Sequence, residues 1–317
     1  MDKRPNRRLS HCLASSAGKP MTQRKLRHQT FRRTTRVQKG DQYAHHPANH
    51  ANRLGAMPLV GPGPLMDSIA DTSPRQLARI AGALYLINIV AGAFAIGIVP
   101  AMLVVSGDAA ATANNIQTHE LLYRLSLVAH VVVTLTNVPL ALIFYELFKV
   151  VNRRLALLDA FLILVATAVE AGGLLNEFAP LVLLGSGPYT SALPAAQLQA
   201  LAYVPHVLSG ISYSIYGVFF GFDIICIAYL ILRSTFVPRA IGVLMAIDGL
   251  AYLVYSFADL LAPGFAAQLV PWIQMPALIG EGSLCLWLLV VGVNAERWTE
   301  RASAATRMWS TQREALA

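Results

Sequence analysis

The fold of this chain is decided by residues 121–184, which read LLYRLSLVAHVVVTLTNVPLALIFYELF, then KVVNRR, then LALLDAFLILVATAVEAGGLLNEFAPLVLL. Two long apolar stretches are separated by a short basic turn. A helix rises about 1.5 Å per residue, so roughly 20 apolar residues cross a hydrocarbon core of about 30 Å. Each stretch is long enough to cross, and the turn leaves room only for a reversal. The segment is therefore predicted to form an antiparallel pair of membrane-crossing helices.

Further apolar stretches lie on both sides of this pair. Strands are excluded because open sheet edges cannot be satisfied in lipid. The predicted fold class is all-α, a polytopic membrane helix bundle of six transmembrane helices. The six predicted spans are residues 80–105, 121–148, 155–184, 201–232, 240–261 and 270–293. Within the fourth span, Gly217 and Gly221 have the small-residue spacing that lets helices approach closely, which predicts a packing contact there.

Composition supports a membrane protein. Hydrophobic residues make up 55% of the chain and charged residues only 13%, with a mean hydropathy of +0.51. A soluble domain has roughly 25% charged residues. The net charge of +8 could indicate nucleic-acid binding, but the basic residues flank the spans or lie in one polar tail, so no nucleic-acid partner is predicted. The three cysteines have no motif spacing, so neither a disulfide framework nor a metal site is expected.

The basic residues also predict an orientation. Of the 25 Lys and Arg residues, all except Arg124 lie in the two tails or in the second and fourth connections between spans. Basic residues in short flanking segments stay in the cytoplasm. We therefore expect a bacterial inner (plasma) membrane protein that crosses several times, with both termini cytoplasmic and the lipid bilayer as its first partner.

The two ends of the chain differ from the predicted membrane domain, residues 80–293. Residues 1–65 are basic, polar and almost free of apolar periodicity, so a disordered tail is expected there. Met66 could be the natural start of translation, with Met57 and Met1 as alternatives, and the tail is expected to be dispensable for insertion. The histidines at 45, 46 and 50 are interpreted as incidental composition. Residues 66–79 form a short cytoplasmic lead-in, and residues 294–317 a cytoplasmic tail.

Several short sequences occur in a characteristic order along the chain. They are ARIAGALYLI at 78–87, GDAAATAN at 107–114, VNRRLALL at 151–158, GVFFG at 217–221 and VPRAIGVL at 237–244. With these motifs the chain resembles a bacterial family known as domain-of-unknown-function family 4386, over roughly residues 74–263. The resemblance implies a multi-pass inner-membrane protein and carries no assigned activity. Acidic residues at Glu170, Asp223 and Asp248 depart from what the resemblance leads us to expect.

Ionisable residues inside the spans are the candidate functional residues, because a charge near the bilayer centre needs a partner, water or a proton. The predicted spans contain seven acidic residues but only one arginine and two histidines, His130 and His206. The polar candidates within the membrane are Asp159, Glu170, Glu177, Arg124, His206, Asp223, Asp248, Asp259 and Glu281.

The spacing of three of these acids predicts one inward line. Asp159, Glu170 and Glu177 are eleven and seven residues apart, which places them within about 20° of one line along a helix. Glu170 falls near the membrane centre. Arg124 enters from the outer end of the preceding span and is expected to pair with Glu177.

Two interpretations of these polar residues remain open. Inward acids often only hydrogen-bond neighbouring helices. Alternatively they line a polar cavity or proton path, because burial disfavours the charged carboxylate and lets the group exchange a proton. The first functional hypothesis is a small transport or permeation protein for a small solute or proton. The alternative is a non-enzymatic accessory, sensor or assembly component with a homo-oligomeric or other membrane partner. Catalytic motifs such as HExxH, GxSxG and Walker A are absent from the sequence, so neither an enzyme nor a cofactor is predicted.

Overall fold

The computed structural model describes residues 72–188 and 190–316. Within these ranges the chain consists of helices joined by short connections, with no strand. The predicted all-α fold class is thus confirmed for the described residues. The expectations about the basic tail, its histidines and the start of translation fall on residues 1–71, which lie outside the described part.

Nine α-helices follow one another along the described chain. They are α1 (Pro74–Gly92), α2 (Val99–Leu103), α3 (Ala109–Thr118), α4 (Glu120–Leu183), α5 (Ala195–Arg233), α6 (Arg239–Leu261), α7 (Pro263–Leu269), α8 (Met275–Val290) and α9 (Ala295–Leu316). A π-helical turn, Ala93–Ile98, joins α1 to α2, and 3-10 turns occur at Thr190–Ala192 and Trp272–Gln274.

Five of the described helical segments are long and apolar enough to cross a membrane. They are Pro74–Leu103, Glu120–Leu183, Ala195–Arg233, Arg239–Leu261 and Trp272–Val290. Their outward faces expose large apolar side chains, for example Leu135 at 65% and Val90 at 61%. A soluble protein rarely exposes apolar patches of this extent, so the outward faces are suited to lipid. The chain has the helices of a membrane protein.

α4 contains the hairpin that the opening stretch of sequence predicts. Asn152 has a non-helical backbone (φ −154°, ψ 103°), and its side-chain oxygen accepts a hydrogen bond from the Leu155 amide at 3.2 Å, which caps the helix that follows. The Tyr123 hydroxyl donates to the Glu177 carbonyl at 2.7 Å. These two residues could not meet along a straight helix of this length. The chain therefore reverses at Asn152, and the two halves of α4 pack antiparallel.

Glycines set the closest approaches between helices. A Cβ at Gly217 would lie 2.2 Å from the Ser256 hydroxyl, and one at Gly221 would lie 3.0 Å from the Gly249 carbonyl oxygen. The Gly217 and Gly221 spacing thus marks the contact of α5 with α6, as predicted. At Gly82, a Cβ would lie only 2.4 Å from the backbone nitrogen of Leu289. Helices α1 and α8 are therefore in direct backbone contact.

One end of the bundle gathers basic residues from distant parts of the chain, and we call it the basic end. Arg301 donates to the Arg233 carbonyl at 3.0 Å, and Arg297 donates to the Thr235 carbonyl at 3.1 Å. The Trp298 indole donates to the Leu147 carbonyl at 2.9 Å. These bonds attach α9 to the first half of α4, to the end of α5 and to the connection between α5 and α6. The opposite end, where α3 and α7 lie, is called the far end.

Replacing Gly82 with alanine tests the close contact of α1 and α8. The added methyl group meets backbone, which cannot rotate away, so we expect Gly82→Ala to destabilise the bundle by about 1–3 kcal/mol, the usual cost of overpacking. Gly172→Ala is the matched control, since no heavy atom lies within 4 Å of its Cβ position. Thermal unfolding in detergent should show a lower midpoint for Gly82→Ala than for the parent. The midpoint of the control should not be lowered. Equal midpoints would contradict the contact.

Candidate functional site

His130 lies at the centre of a buried polar cluster between the two halves of α4. Its Nδ1 is 2.9 Å from a Glu177 carboxylate oxygen, and its Nε2 is 3.2 Å from a Glu170 carboxylate oxygen. The His130 side chain is 6% exposed and that of Glu170 3%. A neutral imidazole can donate only one of these bonds, whereas an imidazolium donates both. The site can therefore hold two acids around one shared cationic or neutral donor.

Two asparagines extend this cluster toward α1. The Asn137 amide is 3.5 Å from the second Glu170 oxygen, and the Asn88 amide donates to the Asn137 carbonyl oxygen at 2.8 Å. Asn88 also donates to the Thr136 hydroxyl at 2.8 Å. Neither asparagine was among the predicted residues, because the sequence argument followed charge. An amide within an apolar stretch is the signal that could have found them, since it too needs a partner in lipid.

A second cluster surrounds Glu281 of α8. The Tyr85 hydroxyl of α1 donates to one of its oxygens at 2.8 Å, and the Tyr252 hydroxyl of α6 donates to the other at 3.1 Å. Glu281 was predicted from the sequence as an intramembrane acid. Its partners come from two other helices, so the cluster connects α1, α6 and α8 around one carboxyl group.

The remaining deep acids are Asp159, Asp223 and Asp248. Asp159 on the second half of α4 and Asp223 on α5 are buried and line the same small cavity. Asp248 is fully buried, and neither of its carboxyl oxygens has a hydrogen-bond partner among the described residues. The predicted line of acids on α4 therefore divides, because Glu170 and Glu177 meet His130 while Asp159 shares the small cavity with Asp223.

The predicted pairing of Arg124 with Glu177 is wrong. Arg124 bonds Glu120 one turn away at 2.7 Å, and both side chains are more than half exposed. Its long side chain reaches the surface at the far end, where solvation is available, and His130 takes the inward place beside Glu177. Sequence reasoning named His130 only as a counter-charge and did not include it in the predicted site.

His206 and Asp259 are the last two predicted residues. His206 is partly buried and its ring centroid lies 5.8 Å from that of Tyr203. Asp259 accepts a hydrogen bond from the Ser214 hydroxyl, which links α5 to α6. Neither contacts the His130 cluster directly through a hydrogen bond within the described residues.

Two adjoining cavities follow these clusters. The central cavity, about 360 Å³, lies among α1, α4, α5, α6 and α8, and Glu281 and Glu170 are in its wall. The far cavity, about 260 Å³, contains His130, Glu177 and His206 in its wall and extends to α3 at the far end. Glu170 borders both cavities. The polar interior thus continues from the far end to the middle of the bundle.

Toward the basic end the interior becomes aromatic and apolar. Phe144 packs edge to face against Tyr85 with ring centroids 6.2 Å apart, and Phe148 lies 6.4 Å from Phe144. Phe236 follows at 5.6 Å from Phe148. Leu147, which is fully buried, completes this apolar core. The cavities are therefore separated from the basic end by packed rings.

Within the described ranges, no group of three His, Cys, Asp or Glu residues is close enough to hold a metal ion. Glu170, Glu177 and Glu281 are held by imidazole, amide and hydroxyl donors. The arrangement can bind polar or charged groups in the cavities and can pass protons between neighbouring carboxyl and imidazole groups.

Removing the imidazole tests how far the bundle depends on the His130 cluster. His130→Leu leaves two acids without their common donor, and an unsatisfied buried polar group costs about 1–3 kcal/mol. We therefore expect a lower midpoint of thermal unfolding in detergent. Arg124→Leu breaks only the exposed pair with Glu120, which is worth about 0–1 kcal/mol, and serves as the control. If Arg124→Leu lowers the midpoint as much as His130→Leu does, the stability of the bundle does not depend on the His130 cluster.

The comparisons with known proteins identify a family. No curated protein and no solved structure matches the chain. The family described as a domain of unknown function, DUF4386, matches residues 80–292, which is most of the described bundle. The resemblance drawn from the short motifs is thereby confirmed, and the chain belongs to the DUF4386 family.

Proposed function

We propose that this protein is a small transport or permeation protein whose polar route runs through the far and central cavities. The observation that carries the proposal is the position of Glu170, which borders both cavities and bonds the His130 imidazole. Ionisable groups deep in a membrane protein are costly to insert and commonly mark solute or proton pathways. Here Glu170, which bonds His130, stands where the two cavities meet.

The proposal includes six membrane crossings. α4 has 64 residues, which would extend about 96 Å as one straight helix, whereas a hydrocarbon core is about 30 Å thick. The reversal at Asn152 supports counting its two halves as separate crossings. An even number of crossings puts both termini on one side. The basic end would then be cytoplasmic by the positive-inside rule, in the inner membrane of a bacterium.

Reporter fusions test this topology. Fusions after Arg154, Leu184, Arg233 and Arg301 should report inside, outside, inside and inside, because the basic end is retained in the cytoplasm. An alkaline phosphatase and a fluorescent protein give opposite signals at each point, so each fusion carries its own control. An outside signal at Arg301 would rule out six crossings with cytoplasmic termini.

A second candidate function is favoured by the packed rings at the basic end. Phe144, Phe148 and Phe236 separate the cavities from that end in this conformation. A protein that binds a ligand from the far end and passes the signal to a homo-oligomeric or other membrane partner would need no continuous route. A sensor or accessory component of this kind differs from a transporter in one measurable property, which is flux.

Flux through the Glu170 region separates the two candidates. The protein is reconstituted in vesicles with a trapped pH-sensitive dye, and small cations, anions and neutral solutes are applied across an imposed pH gradient. We expect flux above that of empty vesicles, slowed about tenfold by Glu170→Gln because the replacement removes an ionisable group from the route. Glu120→Gln, at the exposed pair with Arg124, should match the parent. Flux equal to that of empty vesicles for every solute would favour the sensor.

A further inference from the structure

We infer that the central cavity binds a small organic monocation with an ammonium group, either quaternary or a protonated amine. The inference rests on the proposed function, because it names the substrate class of the same cavity. It is carried by the aromatic wall, the charge and the size of that cavity.

The aromatic wall follows one face of α5. Tyr213 stacks on Tyr216 with ring centroids 5.5 Å apart, and Tyr216 stacks on Phe220 at 5.1 Å. Tyr252 of α6 meets Phe220 edge to face at 4.9 Å. All four rings line the central cavity, and Tyr85 and Tyr255 line it as well. A cation within about 6 Å of such rings is attracted by their negative faces, most strongly where water is excluded.

The ionisable groups of the wall are acidic. Glu281 receives hydrogen bonds only from the neutral hydroxyls of Tyr85 and Tyr252 within the described part of the chain. Glu170 already has His130 as a partner. The residues that line this cavity include no lysine, arginine or histidine. One carboxyl group without a cationic partner, surrounded by tyrosines, therefore favours a ligand with a single positive charge.

The Tyr216 hydroxyl is a second indication of a ligand. Tyr216 is 7% exposed and lines the cavity. Within the described residues its ring stacks on those of Tyr213 and Phe220, and its hydroxyl makes no hydrogen bond. A hydroxyl group that opens into a cavity can accept a hydrogen bond from a ligand there. An N–H of a protonated amine in the cavity would donate such a bond.

Size and donor chemistry distinguish this ligand from a metal ion. A cavity of about 360 Å³ lies at the lower end of the range for small organic ligands. Inorganic cations such as calcium or magnesium are held by several oxygen ligands at short distance. Among the described residues no three His, Cys, Asp or Glu side chains are placed so that they could hold a metal ion, whereas aromatic rings are abundant in this cavity.

Binding is tested on the full chain in detergent by titration calorimetry with three matched probes. Benzyltrimethylammonium carries the positive charge, neopentylbenzene is its neutral isostere, and benzenesulfonate carries the opposite charge. We expect the cation to bind at least about tenfold more tightly than either of the other two probes. Neither of these carries a positive charge, so neither can make the cation–π contacts or the attraction to the carboxyl group. Equal binding of the cation and its neutral isostere, or no binding of the cation, would overturn the inference.

Variants locate the binding to this cavity. Tyr216→Leu removes the middle ring of the stacked aromatic wall and Glu281→Gln removes the ionisable carboxyl group, and each should weaken benzyltrimethylammonium binding about fivefold or more. Tyr216→Phe keeps the ring, so it should leave this quaternary probe unaffected but weaken benzylammonium, which can donate to the hydroxyl. Glu120→Gln should match the parent. Tyr213→Leu replaces Glu281→Gln if that variant does not fold. Unchanged affinity in Tyr216→Leu and Tyr213→Leu would overturn the inference.

The binding and flux measurements can refute the cation site and the transport function separately. Selective cation binding without flux of any solute would support the cation site and refute transport. Flux that benzyltrimethylammonium neither drives nor inhibits, together with no binding, would refute the cation site and leave transport standing.

Discussion

The arrangement of the helices depends on the hydrogen-bond donors that meet three acids inside the bundle, Glu170, Glu177 and Glu281. No water is available in the hydrocarbon core, and an uncompensated polar group there costs several kcal/mol. Glu170 and Glu177 are compensated through His130, and Glu281 through Tyr85 and Tyr252. Each donor comes from a different helical segment than its acid. The polar bonds therefore specify which helices are neighbours, which apolar surfaces alone would leave undetermined.

Close helix packing brings these donors within reach. The backbones of α1 and α8 touch at Gly82, which places Tyr85 one turn further along α1 beside Glu281. In the same way, the contact of α5 with α6 at Gly217 and Gly221 brings the Tyr252 ring against Phe220. Larger residues at these glycines would separate the helices and lengthen the hydrogen bonds. Close packing at the glycines and the polar and aromatic contacts beside them thus depend on each other.

The sequence predicted the helical segments better than it predicted which side chains contact each other. Length and hydropathy located the apolar segments, and the short basic turn at 149–154 identified the reversal inside α4, because these properties are local. Charge marked Glu170 and Glu281 as unusual in lipid. Periodicity, however, gives the face of a helix and not the neighbour that the face meets.

Two particular misses follow from that limit. Arg124 was assigned to Glu177 by depth, yet its side chain finds a partner one turn away at the surface. Asn88 and Tyr85, which complete the polar interior, are uncharged, and no rule based on charge could select them. The count of six crossings and the orientation of the bundle are predictions from the same local reasoning.

The interior is asymmetric, and this asymmetry constrains any mechanism. Polar cavities extend from the far end to Glu281, whereas Phe144, Phe148 and Phe236 fill the remainder toward the basic end. A transport cycle would require these rings to separate while the far end closes. The pairs α1 with α8 and α5 with α6 touch at glycines and cannot easily slide. Because α5 also touches the α4 hairpin closely at Gly173, movement would then occur between the hairpin and the pair of α1 and α8, across the bonds from Asn88 of α1 to Thr136 and Asn137. Because the histidine and the two acids it joins all lie on the hairpin, the cluster would move as one unit, and the rings that separate would be those packed between the hairpin and its neighbours.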